Sequence, residues 1–300
     1  MIGVDAMRPI RALLLALLTL PVAPTPLHAA PPERVAIPTA GLSNSTAPLV
    51  GHVFLAEPPP AGTTALGAVV MLHGCGGAYA RDGSLNARHR MWGEFLAGQG
   101  YAVLMLDSFS SRGVEQICTQ KFGDRSLKEA DRVGDAQAAL AYAGERFALA
   151  PRRIALLGWS HGGGTVLATM AAAPRPEPGY AAAIAFYPGC SARAQAPDRF
   201  HPYAPLLLLV GEADDWTPAE PCHRLADALA ARGDGALLEL VGYPDTFHDF
   251  DNPALSARRV RPEVPNGVHP GQGVTIAPNP AAREDAKQRV LRFLAQRLGS

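Results

Sequence analysis

Arg153-Ile154-Ala155-Leu156-Leu157-Gly158-Trp159-Ser160-His161-Gly162-Gly163-Gly164-Thr165-Val166-Leu167 decides the fold of this chain. The run up to Leu157 is short and apolar, which reads as a buried strand. The segment from Gly163 to Met170 reads as a helix. Between them stands G-x-S-x-G, with Ser160 at its centre. A serine at such a strand-to-helix turn sits on a sharp, strained elbow with its hydroxyl exposed. Small residues flank it because bulky side chains would clash where the backbone folds back. The pentapeptide alone is a weak signal, since it also fits a Gly-rich turn opening an ordinary helix. The flanking strand and helix make Ser160 a candidate nucleophile.

The same alternation extends in both directions. Residues 50–56 read as a strand closed by Pro58-Pro59-Pro60, because proline cannot continue a ladder. Residues 68–72 and 101–106 read as buried strands with a helix over 91–97 between them. A helical pattern covers 127–147, ahead of the elbow. Beyond it, strands are expected at 181–187, 206–210 and 237–243, with a helix over 219–232 capped by Gly233. Residues 252–279 read as a long Pro/Gly-rich loop, and the chain closes on a helix over 281–298. Strands alternating with helices imply an α/β fold with a mostly parallel sheet covered on both faces.

Composition narrows the function. The chain has 300 residues, 48% of them hydrophobic, enough for a sizeable core in one domain over 31–300. Its 27 Lys and Arg equal its 27 Asp and Glu, so no basic stripe argues for nucleic acid and no acidic run for a solvated tail. The N-terminus differs from the rest. Arg8 and Arg11 precede the apolar run 12–20, and Ala29 and Ala30 follow, the layout of a secretory signal peptide over 1–30. That run is shorter than the ~20 residues needed to span a bilayer. A periplasmic or secreted protein without stable membrane insertion is therefore expected.

Export changes how the four cysteines read. Cys75, Cys118, Cys190 and Cys222 form no CxxC pair, so a zinc site is not expected. In an oxidising compartment two disulfides are the natural outcome. Cys190 and Cys222 follow neighbouring strand ends, which leaves Cys75 for Cys118. The expected pairing is Cys75–Cys118 and Cys190–Cys222.

A serine hydroxyl needs a base to take its proton. Histidine serves because its ordinary pKa of about 6.5 suits proton transfer near neutrality, and a carboxylate fixes its tautomer. In this fold the chain order is Ser, acid, His. The acid search lands on Gly211-Glu212-Ala213-Asp214-Asp215-Trp216-Thr217-Pro218, just past the strand 206–210. Asp214 and Asp215 are adjacent and cannot both point at one histidine. Of His223, His248 and His269, only His248 comes just after the last strand. Donors for a developing oxyanion are expected in the backbone N–H of His161 and of Cys75, within His73-Gly74-Cys75-Gly76-Gly77.

These stretches, with Asp107-Ser108-Phe109, Arg112-Gly113 and His248-Asp249-Phe250, resemble the dienelactone hydrolase-like group of α/β-hydrolases. The resemblance implies an acid in G-x-x-D-x-x-x-P, which is Asp214, and a base in H-x-F, which is His248. The name-giving enzymes carry a cysteine where this chain has Ser160. The resemblance therefore implies carboxylic-ester hydrolysis rather than a named substrate.

The expectation is a serine hydrolase acting on a small-molecule ester or lactone without metal or cofactor. Its rivals are a peptidase of the same fold and a non-catalytic binding protein. Tyr79, Arg81, Phe109, Arg112, Trp159 and Trp216 lie at strand ends where ligands bind in such sheets. Among them Arg112 is the first candidate to hold a substrate carboxylate.

Overall fold

The computed structural model describes residues 1, 3, 28–29, 32–39, 41–57, 65–171 and 174–299. The expected signal peptide lies almost wholly outside the described residues, as does the proline run 58–60. Eight strands make the main sheet: β1 Glu33–Ile37, β2 Leu49–Phe54, β3 Ala68–Leu72, β4 Ala102–Asp107, β5 Ile154–Trp159, β6 Ala182–Phe186, β7 Leu206–Gly211 and β8 Leu238–Tyr243. Their order is β8-β7-β6-β5-β3-β4-β2-β1. β2 pairs antiparallel with β1 and β4, and every other neighbour is parallel.

The central strands are continuous apolar runs because both faces are covered. Every residue of β3 to β7 is buried. The helices are α1 Ala87–Gly98, α2 Val133–Arg146, α3 His161–Met170, the short α4 Ser191–Gln195, α5 Glu220–Ala231 and α6 Pro280–Leu298. One core joins Leu156 and Leu208 to Leu140, Val166 and Leu225 from α2, α3 and α5. The opposite core joins Leu157 and Leu209 to Trp92 of α1 and to Val290 and Phe293 of α6. This is the α/β-hydrolase architecture, with the C-termini of the parallel strands gathered at one edge.

Two expectations change. The helix read over 127–147 begins only at Val133, after a 3₁₀ turn over Ala130–Arg132 that turns Arg132 inward. The region 252–279 is not all loop. Its β9 Arg259–Arg261 pairs antiparallel with β10 Val274–Ile276, and Ile276 bridges to His248. Short strands separated by twelve residues, half of them Pro or Gly, leave no local periodicity to read. Trp216, Leu255, Val264 and Ile276 cluster there with the Cys75–Cys118 bridge. Both expected disulfides form, with Cα separations of 4.9 Å for Cys75–Cys118 and 5.1 Å for Cys190–Cys222. No helix among the described residues is long and apolar enough to cross a membrane.

Candidate active site

Ser160 joins β5 to α3 at φ 52° and ψ −115°, a conformation that L residues rarely adopt. Such strain costs of order 1–3 kcal/mol and persists only where the surroundings over-determine it. Here Ser160 N donates to Phe186 O at 2.9 Å and Gly164 N to Ser160 O at 2.8 Å. The flanking glycines follow from contact. A Cβ on Gly158 would meet Gly162 O at 2.4 Å, and one on Gly162 would meet Leu72 O at 2.3 Å.

Asp214 and His248 leave the ends of β7 and β8 and meet in a buried pair. Their Oδ2 and Nδ1 atoms stand 2.7 Å apart. Asp214 is held in place by Trp216 N and Thr217 N, which donate to its Oδ1 at 2.8 and 2.9 Å, and by Thr217 Oγ1, which donates to Oδ2 at 3.1 Å. Trp216 packs its ring 4.6 Å from the imidazole and Tyr187 4.4 Å. A Cβ on Gly211 would meet Thr246 O at 2.2 Å, so this glycine lets the acid turn approach the histidine loop. With Nδ1 committed to Asp214, Nε2 of His248 is buried and makes no hydrogen bond among the described residues. Asp215 turns the other way. It accepts from Thr275 N and Thr275 Oγ1, both at 2.7 Å, and so fastens β10.

Ser160 and His248 line one cavity of about 110 Å³ with Gly74, Cys75, Gly76 and Trp216. The sequence reading missed the rest of its wall: Asn86 and Arg88 from the start of α1, Asp249, Asn252 and Arg261. Arg88 is buried and donates to the Tyr187 hydroxyl at 2.8 Å, and it also holds Asp249. Burial would raise the Asp249 carboxyl, but Arg88 outweighs it and keeps it below the usual range. Behind His248, Asp251 is fully buried. It accepts from the Tyr187 hydroxyl at 2.6 Å and from the indoles of Trp92 and Trp159 at 2.8 Å each. The only trace of this network in the sequence is a second aspartate three residues past His248.

Buried Arg132 fastens the glycine loop to the elbow. Its NH1 donates to His73 O at 3.0 Å and meets His161 Nδ1 at 2.9 Å. Burial and then Arg132 hold His73 and His161 well below the ordinary histidine pKa, while burial and then Arg88 bring His89 to about 3. All three are neutral in the fold near neutrality. The unfolded chain takes up protons below pH 6.5 and the fold does not, so stability falls as pH falls through that window. Each histidine contributes up to about 1.4 kcal/mol per pH unit, and the three together up to about 4. The urea midpoint is expected to drop clearly between pH 7 and pH 5; a constant midpoint would contradict this.

The remaining candidates separate. Trp216 lines the Ser160 cavity. Tyr79, Arg81 and Phe109 instead border a neighbouring cleft. Two expectations are corrected. Arg112 is not free to hold a substrate carboxylate: it pairs with Asp135 of α2 at 2.8 and 3.0 Å and donates to Ser108 O. The 3₁₀ turn over Ser110–Arg112, closed by left-handed Gly113, carries it there. Trp159 does not line the cavity: as the last residue of β5 it shares the face of Leu157, two residues earlier. Its ring lies in the core beside Trp92 and Phe186. His223 pairs with Glu212 at 2.9 Å on the surface, and His269 is exposed.

A family model for the dienelactone hydrolase family matches residues 52–298. No curated protein sequence matches the chain. Among solved structures, a putative dienelactone hydrolase from Klebsiella pneumoniae aligns over 90% of this chain and 99% of its own, at 18% identity and TM-score 0.64. The apo form of Thermogutta terrifontis esterase 2 aligns over 88% of this chain and 94% of its own, at 22% identity and TM-score 0.58. A puromycin-hydrolysing peptidase of Mycobacterium tuberculosis aligns over 89% of this chain but only 39% of its own, at 18% identity and TM-score 0.57. At these identities the likeness is one of fold.

Proposed function

The chain belongs to the dienelactone hydrolase family, and on that premise we propose that it is an exported serine hydrolase of carboxylic esters or lactones. One observation carries the reading. The Asp214–His248 pair leaves a buried Nε2, without a partner among the described residues, on a histidine that lines the same small cavity as Ser160 on its elbow.

In this mechanism the Ser160 Oγ bonds to the substrate carbonyl carbon as its proton passes to His248 Nε2. Asp214 holds the imidazole in the tautomer that presents a lone pair there and stabilises the imidazolium. The oxyanion receives the backbone N–H groups of Cys75 and His161. The carbon–alkoxide bond then breaks, and the leaving oxygen takes the proton from His248. Water attacks the resulting acyl-enzyme while His248 removes its proton. Breaking the Oγ–acyl bond frees the acid and returns a proton to Ser160. Apo geometries in such sites are commonly looser than in the reacting complex.

p-Nitrophenyl acetate is the first test: a stoichiometric burst of p-nitrophenol marks an acyl-enzyme, and no turnover would refute the proposal. Dipeptide amides separate a peptidase, and the matched peptidase has more than half its length outside the shared fold. Export is supported by the two disulfides, which persist in oxidising compartments.

The Cys75–Cys118 bridge sits in the proposed oxyanion loop, where Ile117 N also donates to Cys75 O at 2.8 Å. Mild reduction is therefore expected to lower kcat/KM severalfold while far-UV circular dichroism stays unchanged. Activity that persists until the protein unfolds would show the bridge to be structural only.

A further inference from the structure

We infer that a second cleft, beside the Ser160 cavity, is an acyl-binding subsite for esters with an extended aryl-alkyl acyl chain. The inference rests on the hydrolase reading above. Its starting point is size. The Ser160 cavity, about 110 Å³, is small beside the usual ligand pocket of roughly 300–1,000 Å³. The neighbouring cleft measures about 860 Å³, within the usual range for ligand pockets of roughly 300–1,000 Å³. Gly76 lines both spaces. The space beside it is uncrowded: the nearest atom a Cβ would meet is Cys118 Sγ, at 3.9 Å.

The walls suit an apolar chain with a ring. Ala78, Tyr79 and Leu85 come from the loop after β3, while Phe109 and Val114 come from the loop after β4. Of the polar groups that line the cleft, those of His52, Tyr79 and Asp107 are already engaged, while Arg81, Glu115 and Gln116 are exposed. His52 Nε2 and the Tyr79 hydroxyl lie 2.9 Å apart, and Asp107 accepts from Phe109 N at 2.9 Å. Burial, reinforced by Arg34, keeps His52 below the ordinary histidine pKa and so neutral. Arg34, on the rim, precedes the residues that the family model matches.

Topology assigns the cleft to the acyl side. Asp214 and His248 follow β7 and β8, on one side of β5. The cleft residues belong to β1, β2 and the ends of β3 and β4, on the other side. The leaving alkoxide must stand beside His248 to take its proton. The acyl chain therefore runs the opposite way, past Gly76 and into the cleft.

p-Nitrophenyl acetate and p-nitrophenyl 3-phenylpropanoate share a leaving group and differ only in the acyl chain. The wild-type protein is expected to favour the longer ester at least tenfold in kcat/KM. Val114→Trp, which narrows the cleft, should cut the longer ester about tenfold and leave acetate within twofold. Leu85→Trp, on the loop after β3, makes the same test should the first variant fail to fold. Wild-type indifference to acyl length overturns the inference, as does an equal effect of a folded variant on both esters. Failure to turn over acetate at all would instead overturn the hydrolase reading beneath it.

Discussion

Ser160→Ala is expected to remove ester hydrolysis by at least about four powers of ten in kcat while leaving the protein folded. The magnitude follows from the role, because knocking out a nucleophile in a serine triad removes nearly all of the triad's contribution at once. What survives is the rate from oxyanion stabilisation and binding alone. Stability should hardly move. The serine's N–H to Phe186 O and its carbonyl to Gly164 N are backbone bonds that alanine keeps. Alanine also bears the same Cβ at φ 52°, so the elbow strain is not made worse. The measurement is a burst assay with p-nitrophenyl acetate alongside a thermal melt. A folded variant that keeps more than a few per cent of wild-type kcat would remove Ser160 from the mechanism. Loss of activity together with loss of the melt would show that the hydroxyl holds the elbow structurally.

The sequence made the sheet and the elbow legible because both rest on local rules. An uninterrupted apolar run such as Leu206–Val210 admits a buried strand, and Gly158 and Gly162 mark the one place where the backbone closes on itself. The cysteine pairing was legible too, since Cys75 and Cys118 follow the neighbouring strands β3 and β4, and Cys190 and Cys222 the neighbouring strands β6 and β7. Side-chain direction was not. Arg112 and Trp159 sit at the expected edge, yet one is drawn to Asp135 and the other into the core by its strand parity. Charged residues of the cavity wall were hidden for a different reason. Arg88, Asp249 and Arg261 come from three separate elements, and nothing in their own neighbourhoods marks them as converging. Asp251 carries no sequence signal beyond its distance from His248, because its partners Trp92, Trp159 and Tyr187 are supplied by α1, β5 and the end of β6.

Asp214→Asn is expected to cost far more activity than Asp215→Asn, although the two carboxylates are neighbours in the chain. An asparagine at 214 keeps one carbonyl oxygen, which can still receive the N–H groups of Trp216 and Thr217. Its amide then faces His248 Nδ1 as a donor. That nitrogen must become an acceptor, so the proton moves to Nε2, where a lone pair is needed to take the Ser160 proton. The wrong tautomer in a geometrically intact site lowers kcat about 10⁴-fold in serine hydrolases of another fold. At 215 the same change meets different partners. Asp215 receives the N–H and hydroxyl of Thr275, which anchors β10 beside the cavity. One weakened pair there costs about 1–3 kcal/mol of stability and at most a few-fold in kcat, through a looser wall around Trp216 and His248. Steady-state kinetics and melts of both variants separate the two effects, with the 214 change seen in kcat and the 215 change in the melting temperature. Equal losses of kcat, or a larger loss at 215, would show that the acid is misassigned.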